Sequence, residues 1–255
     1  LEIGNMTTTL IELQHSLDEL LTPSKFNDYC PNGLQVEGRS EVRLLVTGVT
    51  ASLALIEEAV RLKADAILVH HGFFWKGESP IVKGMKRRRM AALLANELSL
   101  LAYHLPLDAH SSLGNNACLG RLMGFDEWVA VGAGGLVSVG ELAEPITAKG
   151  MLQRLRALTG REPLHIGDAT ELVRKIAWCT GAAQGYIEEA VAAGADMYIT
   201  GEASEQTVHV AREEGIHFVA AGHHATERYG VQAVGEHLAQ AFNLEHRFVD
   251  IDNPV

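Results

Sequence analysis

"IEEAVRLKADAILV", residues 56–69, has an echo at 187–200, "IEEAVAAGADMYIT". In both copies an acidic-and-alanine run of helical character leads through Ala-Asp into a short apolar run. Upstream of each lies an apolar run ending in Thr-Gly: "RLLVTG" up to Gly48 and "KIAWCTG" up to Gly181. The apolar runs are short and do not alternate, which is the pattern of parallel strands covered on both faces. The helices between them carry a stripe, Leu55, Ala59 and Leu62 in the first copy, that can lie on such a sheet. Strand, helix, strand therefore occurs twice.

A second echo follows. "LLAYHLPLD" (100–108) aligns with "FVAAGHHATE" (218–227) so that His104 falls on His223 and Asp108 on Glu227. The fold expected is α/β: two pseudo-symmetric lobes with largely parallel sheets, residues 6–125 and 170–255. Residues 126–169 lie between them. This middle stretch holds a turn at "VGAGG" (131–135), a strand at "LVSVGEL" (136–142) and a helix over 147–160 stopped by Gly160.

The chain has 255 residues, 47% hydrophobic and 21% charged, as expected of a globular protein. No apolar run approaches the ~20 residues of a membrane-spanning helix, and no secretory signal pattern opens the chain. Leu1–Asn5, ahead of Met6, read as an appended segment outside the fold. Three widely spaced cysteines, Cys30, Cys118 and Cys179, with no Cys-x-x-Cys, indicate a reducing cytoplasm and no structural zinc knuckle.

The net charge of −11 disfavours nucleic acid and anionic membranes as general partners, though it does not exclude nucleic acid. Basic charge is concentrated in Lys83, Lys86, Arg87, Arg88 and Arg89. This run reads first as the solvated start of a helix, Met85–Asn96. The alternative is a phosphate site in which Lys86 and Arg87 bind substrate.

Ligands of open α/β sheets bind beyond the carboxyl ends of the strands, where this chain places histidines. "ILVHHGFFWK" (67–76) ends a strand on His70 and His71. Neighbouring strand residues point to opposite faces, so both can serve one ion only if the chain turns, which Gly72 permits; otherwise each serves its own ion. "HHATERYGVQAVGEHLAQAF" reads as one helix with Val231, Val234, Leu238 and Phe242 on a face. His223 and Glu227, four apart, then share the face at its start. Pro106 argues against a helix through "HLPLDAH" and puts Asp108 on a loop. Imidazoles with carboxylates suit Zn, Fe, Mn or Ni. The number of such groups points to two divalent metal ions per chain.

With these residues in view, the sequence resembles the GTP cyclohydrolase I type 2 homologues, the YbgI or Nif3-like dinuclear metal proteins. The resemblance covers nearly the whole chain. It rests on "YCPNGLQVEG" (29–38), "VTGVTAS" (46–52), "HHGFFWKGE" (70–78), "HLPLDAHSSLGNN" (104–116), "TGEASEQTVH" (200–209) and "AGHHATER" (221–228). It implies metal ligation by His70, His71, Asp108, His223 and Glu227, and assembly into a toroidal homohexamer with the metal sites facing its cavity.

Paired divalent ions make hydrolysis the expected chemistry, and the resemblance implies a nucleotide or related substrate, with purine ring opening and release of formate. Candidate acid–base groups are His104, His224 and Glu202, the last at the repeat position of His71 or simply charging the next helix start. Phe73, Phe74 and Trp75 can stack on a base or pack in the core. "NGLQVEG" reads as a turn, since it lacks the glycine spacing of phosphate loops. The competing expectation is a non-catalytic metal-binding, regulatory or scaffold protein that forms a ring.

Overall fold

The computed structural model describes residues 7–255; Leu1–Asn5, read above as an appended segment, lie outside the described residues. Two compact units divide the chain. The first takes the chain up to Leu107 together with Gly230–Asp252, and the second takes Asp108–Tyr229 with Asn253–Val255.

The chain runs through β1 (Thr8–Thr9), α1 (Leu10–Leu21), β2 (Gly33–Val36), β3 (Glu41–Val42), β4 (Leu44–Thr50), α2 (Leu53–Leu62), β5 (Ala66–His71), α3 (Gly84–Ala95), β6 (Ser99–Ala102) and α4 (Leu105–Ala109). It continues through α5 (Asn115–Met123), β7 (Val129–Val131), β8 (Val137–Thr147), α6 (Ala148–Thr159), β9 (Leu164–Ile166), β10 (Leu172–Trp178), α7 (Ile187–Ala192), β11 (Met197–Thr200), α8 (Glu205–Glu214) and β12 (His217–Ala220). It ends with α9 (His223–Thr226), α10 (Arg228–Phe242) and β13 (Glu245–Phe248).

In the first unit the sheet order is β13-β4-β5-β6-β2. Strands β13, β4, β5 and β6 run parallel, and β2 closes the edge antiparallel to β6. Val46, Ile67, Val69 and Leu100 pack with Leu55, Ile56 and Ala59 of α2 and Leu93 of α3. The expected stripe on α2 is thus buried, with Leu62 at its margin. In the second unit the order is β7-β8-β10-β11-β12-β9. Here β10, β11 and β12 are parallel, and β9 lies antiparallel on β12, as β2 does on β6. Its core holds Ile176, Trp178, Ile199 and Val219 against Leu119, Met151 and Leu155.

The repeat extends to its polar anchors. Asp65 Oδ2 accepts the backbone N–H groups of Arg43 and Leu44 at 2.9 and 3.0 Å. Asp196 Oδ2 accepts those of Arg174 and Lys175, both at 2.8 Å. The residue two before each aspartate, Lys63 or Gly194, is left-handed, φ +61° and +68°. Each aspartate thus ties the end of a helix to the start of a strand. Asp65→Ala leaves two N–H groups without their acceptor and is expected to cost about 2–3 kcal/mol in urea unfolding. Exposed Glu57→Ala is expected to cost less than about 0.5 kcal/mol.

The structure differs from the sequence reading in several places. Residues 126–169 do not stand apart: β7 and β8 extend the second sheet, β8 pairing with β10 from Ser138 to Thr147. The chain after Gly230 returns to the first unit, where β13 pairs with β4. The two Thr-Gly pairs are not equivalent. Leu45 faces Ala66 as Ile176 faces Met197, so Gly48 is level with Cys179, not with Gly181. Pro106 does not prevent a helix: α4 begins at Leu105, and proline is tolerated in a first turn, where its missing N–H has no partner to lose. "NGLQV" is not a turn but contains strand β2.

Candidate metal centre

On the first unit, β5 delivers His70 and His71, and the chain leaving β6 delivers His104. The ladder to β4 holds through Thr50 and His71, and the chain then turns at Gly72. A side chain there would strike Gln35 and Ala102, so this turn needs glycine for close approach. Gln35 clamps it, accepting from Phe73 N–H at 2.6 Å and donating to Phe73 O at 3.2 Å. The rings of His70 and His71 end 4.5 Å apart, and His104 lies 5.0 and 5.7 Å from them. One ligand nitrogen from each of the three falls within 4.8 Å of the others.

Each ring is oriented through Nδ1. His70 Nδ1 donates to Tyr103 O at 3.1 Å, and His71 Nδ1 meets Thr50 Oγ1 at 3.1 Å. His104 Nδ1 meets Asp28 Oδ1 at 2.8 Å. With Nδ1 engaged, Nε2 is the nitrogen each ring presents to a ligand. Asp28 is the most heavily committed partner, its side chain 3% exposed. It also accepts from Asn32 Nδ2 and Leu105 N–H. Burial pushes its carboxyl up, but the bonds from His104, Asn32 and Leu105 outweigh it and hold it well below the usual carboxylate range. Cys30 is nearby, but burial and the Asp28 charge push its thiol up to about 12, so it offers no thiolate.

On the second unit, His223 stands at the start of α9 and Glu227 directly after it, between α9 and α10. The expected single helix is broken there, with Glu227 at φ −105°, ψ 7°. The pair still meets, His223 Nε2 to Glu227 Oε2 at 3.1 Å, while Glu202 Oε1 holds His223 Nδ1 at 2.6 Å. Burial disfavours charge on His223, but the two carboxylates raise its pKa to about 9. A cation shared by His223 and Glu227 would replace the Nε2 proton. Asp108 projects from α4, not from a loop, and accepts from Asn115 Nδ2 at 2.9 Å and Thr180 Oγ1 at 3.2 Å. Asp108 and Glu227 are 6% and 2% exposed. Gly181, φ +72°, leaves room for Glu227: a side chain there would overlap its Oε1.

The remaining sequence candidates separate. Trp75 borders the imidazoles, 5.2 Å from His104 and 5.9 Å from His71 between ring centroids. Phe73 is buried in the core and Phe74 is exposed beneath Lys86 Nζ. Lys86 pairs with Glu78 at 3.2 Å and Arg87 is exposed. Glu202 orients His223. His224 joins none of the ligand clusters among the described residues; its backbone N–H donates to Val255 O. Sequence reasoning missed Asp28, Thr50, Asn115, Thr180 and Tyr29, whose ring lies 4.9 Å from His104.

The donors are imidazole nitrogens with their second nitrogen pinned, and buried carboxylates with their own partners. That set suits a divalent ion. The fold and these clusters define an α/β protein with groups able to bind metal at the carboxyl ends of parallel strands. The family model described as Duf34/NIF3 (NGG1p interacting factor 3) matches residues 8–254, and the chain belongs to that family. A Pseudomonas aeruginosa relative named GTP cyclohydrolase 1 type 2 homolog is 56% identical over 252 residues, 98% of this chain and 100% of that one. An Escherichia coli K12 relative of the same name is 52% identical, covering 95% and 98%. A solved structure named protein ybgI, unknown function, matches with TM-score 0.94 at 51% identity, covering 97% of this chain and 100% of the other. TTHA1606 from Thermus thermophilus matches with TM-score 0.90 at 32% identity and the same coverage. Among the described residues no helix is long and apolar enough to cross a membrane.

Proposed function

We propose that His70, His71, Asp108, His223 and Glu227 hold two divalent ions, Zn, Fe, Mn or Ni. In this reading the protein hydrolyses a nucleotide or a related compound. The observation that carries the metal reading is the orientation of His70 and His71, each held through Nδ1 so that Nε2 faces a ligand. The name of the curated relatives, GTP cyclohydrolase 1 type 2 homolog, supports a nucleotide as substrate.

When bound, such ions supply Lewis acidity and make a water acidic enough to attack near neutral pH. His104 moves the proton: Asp28 keeps Nδ1 protonated, so Nε2 accepts from the attacking water and returns the proton to the leaving group. Glu202 is a positioning residue that fixes the His223 tautomer. Trp75 supplies a face on which a base stacks beside His71 and His104, with Lys86 and Arg87 as outlying phosphate contacts. Assembly as a cytoplasmic homohexamer completes the reading.

Asp28→Asn is expected to keep the metal and lower turnover about 100-fold, through a misplaced His104 proton. Metal analysis beside steady-state kinetics checks both. The function is tested by incubating purified protein, supplemented with each metal, with nucleotides and phosphoesters, read by mass spectrometry. Product formation abolished by His71→Gln is the expected result. Stable metal with no turnover in the whole panel would favour the non-catalytic metal-binding or scaffold reading.

A further inference from the structure

The chain leaving β5 holds a backbone conformation that does not suit its residue. Phe74 has φ +65°, a region that bulky side chains avoid. The conformation gains no burial for Phe74, whose ring is 39% exposed. It instead divides the neighbours: Phe73 enters the core, and Trp75 turns back to the imidazoles of His71 and His104. Strain of this kind persists where the surroundings hold it, and it gathers at ligand-binding positions. Here the surroundings are polar and specific. Trp75 N–H donates to Glu78 Oε2 at 3.2 Å, and Glu78 N–H donates back to Trp75 O at 2.8 Å. Lys76 N–H donates to Tyr29 O at 2.7 Å, which ties this turn to the chain between α1 and β2. The Tyr29 ring then lies 5.6 Å from Trp75, with 37° between the planes. Tyr29 is 53% exposed and Trp75 is half-buried.

We propose that Tyr29 and Trp75 form an aromatic wall that selects substrates carrying a planar heteroaromatic ring, with Tyr29 a specificity-determining residue. This rests on the reading of the neighbouring imidazoles as the working site, and it narrows the substrate class of that site. Both rings stand nearly perpendicular to the His104 imidazole, at 78° and 86°. A ring lying flat on either is therefore held across the His104 plane, beside the group that moves the proton. A ring flat on one wall residue meets the other at a tilt, as aromatic pairs prefer. Neither side chain carries charge, so the wall gives little to a sugar phosphate alone. Stacking tolerates any base, because every base has a π-face. The wall thus demands a ring without choosing which.

The test is calorimetric titration of purified protein, its metal content measured, with guanosine monophosphate and with ribose 5-phosphate. The two probes share a sugar and a phosphate and differ in the ring. The wild type is expected to bind guanosine monophosphate at least about tenfold more tightly than ribose 5-phosphate. Tyr29→Ala and Trp75→Ala are each expected to weaken guanosine monophosphate about tenfold, with ribose 5-phosphate and metal content unchanged. Trp75→Phe keeps a ring and is expected to retain most of the affinity. Circular dichroism checks that each variant folds. A wild type without preference for guanosine monophosphate overturns the wall, as does unchanged affinity in folded Tyr29→Ala. Ring-dependent binding with no turnover in the panel above keeps the wall and removes hydrolysis. Turnover of phosphoesters without a ring, undiminished in Tyr29→Ala, keeps hydrolysis and overturns the wall.

Discussion

Glu227→Gln is expected to lower the metal content of the purified protein from about two ions per chain to one or none. Glu227 is 2% exposed and meets His223 Nε2 at 3.1 Å. A carboxylate has two oxygens and can serve two ions, whereas an imidazole offers one nitrogen once the other is engaged. In the proposed two-ion site, removing its charge is expected to loosen both ions, while His71→Gln is expected to loosen mainly one. The fold is expected to persist, because each unit is held by its own apolar core and glutamine keeps the shape of the buried side chain. Elemental analysis beside circular dichroism separates these outcomes. A folded Glu227→Gln protein with full metal content would exclude the bridging role and pass it to Asp108.

Gly181→Ala is the second change with a large expected effect, without removing any donor atom. At φ +72° alanine carries about 1 kcal/mol of backbone strain, and its Cβ would overlap Glu227 Oε1. The carboxylate must then leave its place beside His223, and metal affinity is expected to fall about 10–100-fold. Gly160 supplies the control. Its φ is +74° and nothing lies within 4 Å of the position its Cβ would take. Gly160→Ala therefore carries the strain alone and is expected to leave metal binding unchanged. Equal metal affinities in the two variants would show that the space beside Gly181 does not govern Glu227.

The α/β class was legible because parallel strands buried on both faces must be mainly apolar, and "AILV" and "MYIT" are. The repeat was legible because the same helix covers the same kind of strand twice. Its register was not, because Thr-Gly at 47–48 and 180–181 is shared composition, while register is set by hydrogen bonding across the sheet. The return of the chain to the first unit was hidden for a related reason. "EHRF" of β13 alternates between exposed and half-buried residues, as an edge strand does, and carries no buried run to announce it.

At the candidate site, the histidines and carboxylates stood out by residue type. Their supports did not. Asp28 and His104 are far apart in the sequence, and nothing local in "NDYCPN" marks an aspartate that will accept from an imidazole, an amide and two backbone N–H groups. The break at Glu227 was also invisible, since "HHATERYGV" has good helical periodicity on both sides of it.

That His70, His71, Asp108, His223 and Glu227 hold two divalent ions is a proposal about named side chains. Anomalous X-ray diffraction from crystals of the metal-loaded protein, collected at the absorption edge of the ion found by elemental analysis, tests it most directly. Two anomalous peaks per chain are expected among these five side chains, with His70 and His71 binding through Nε2. A single peak, or peaks that none of these five residues touch, would contradict it.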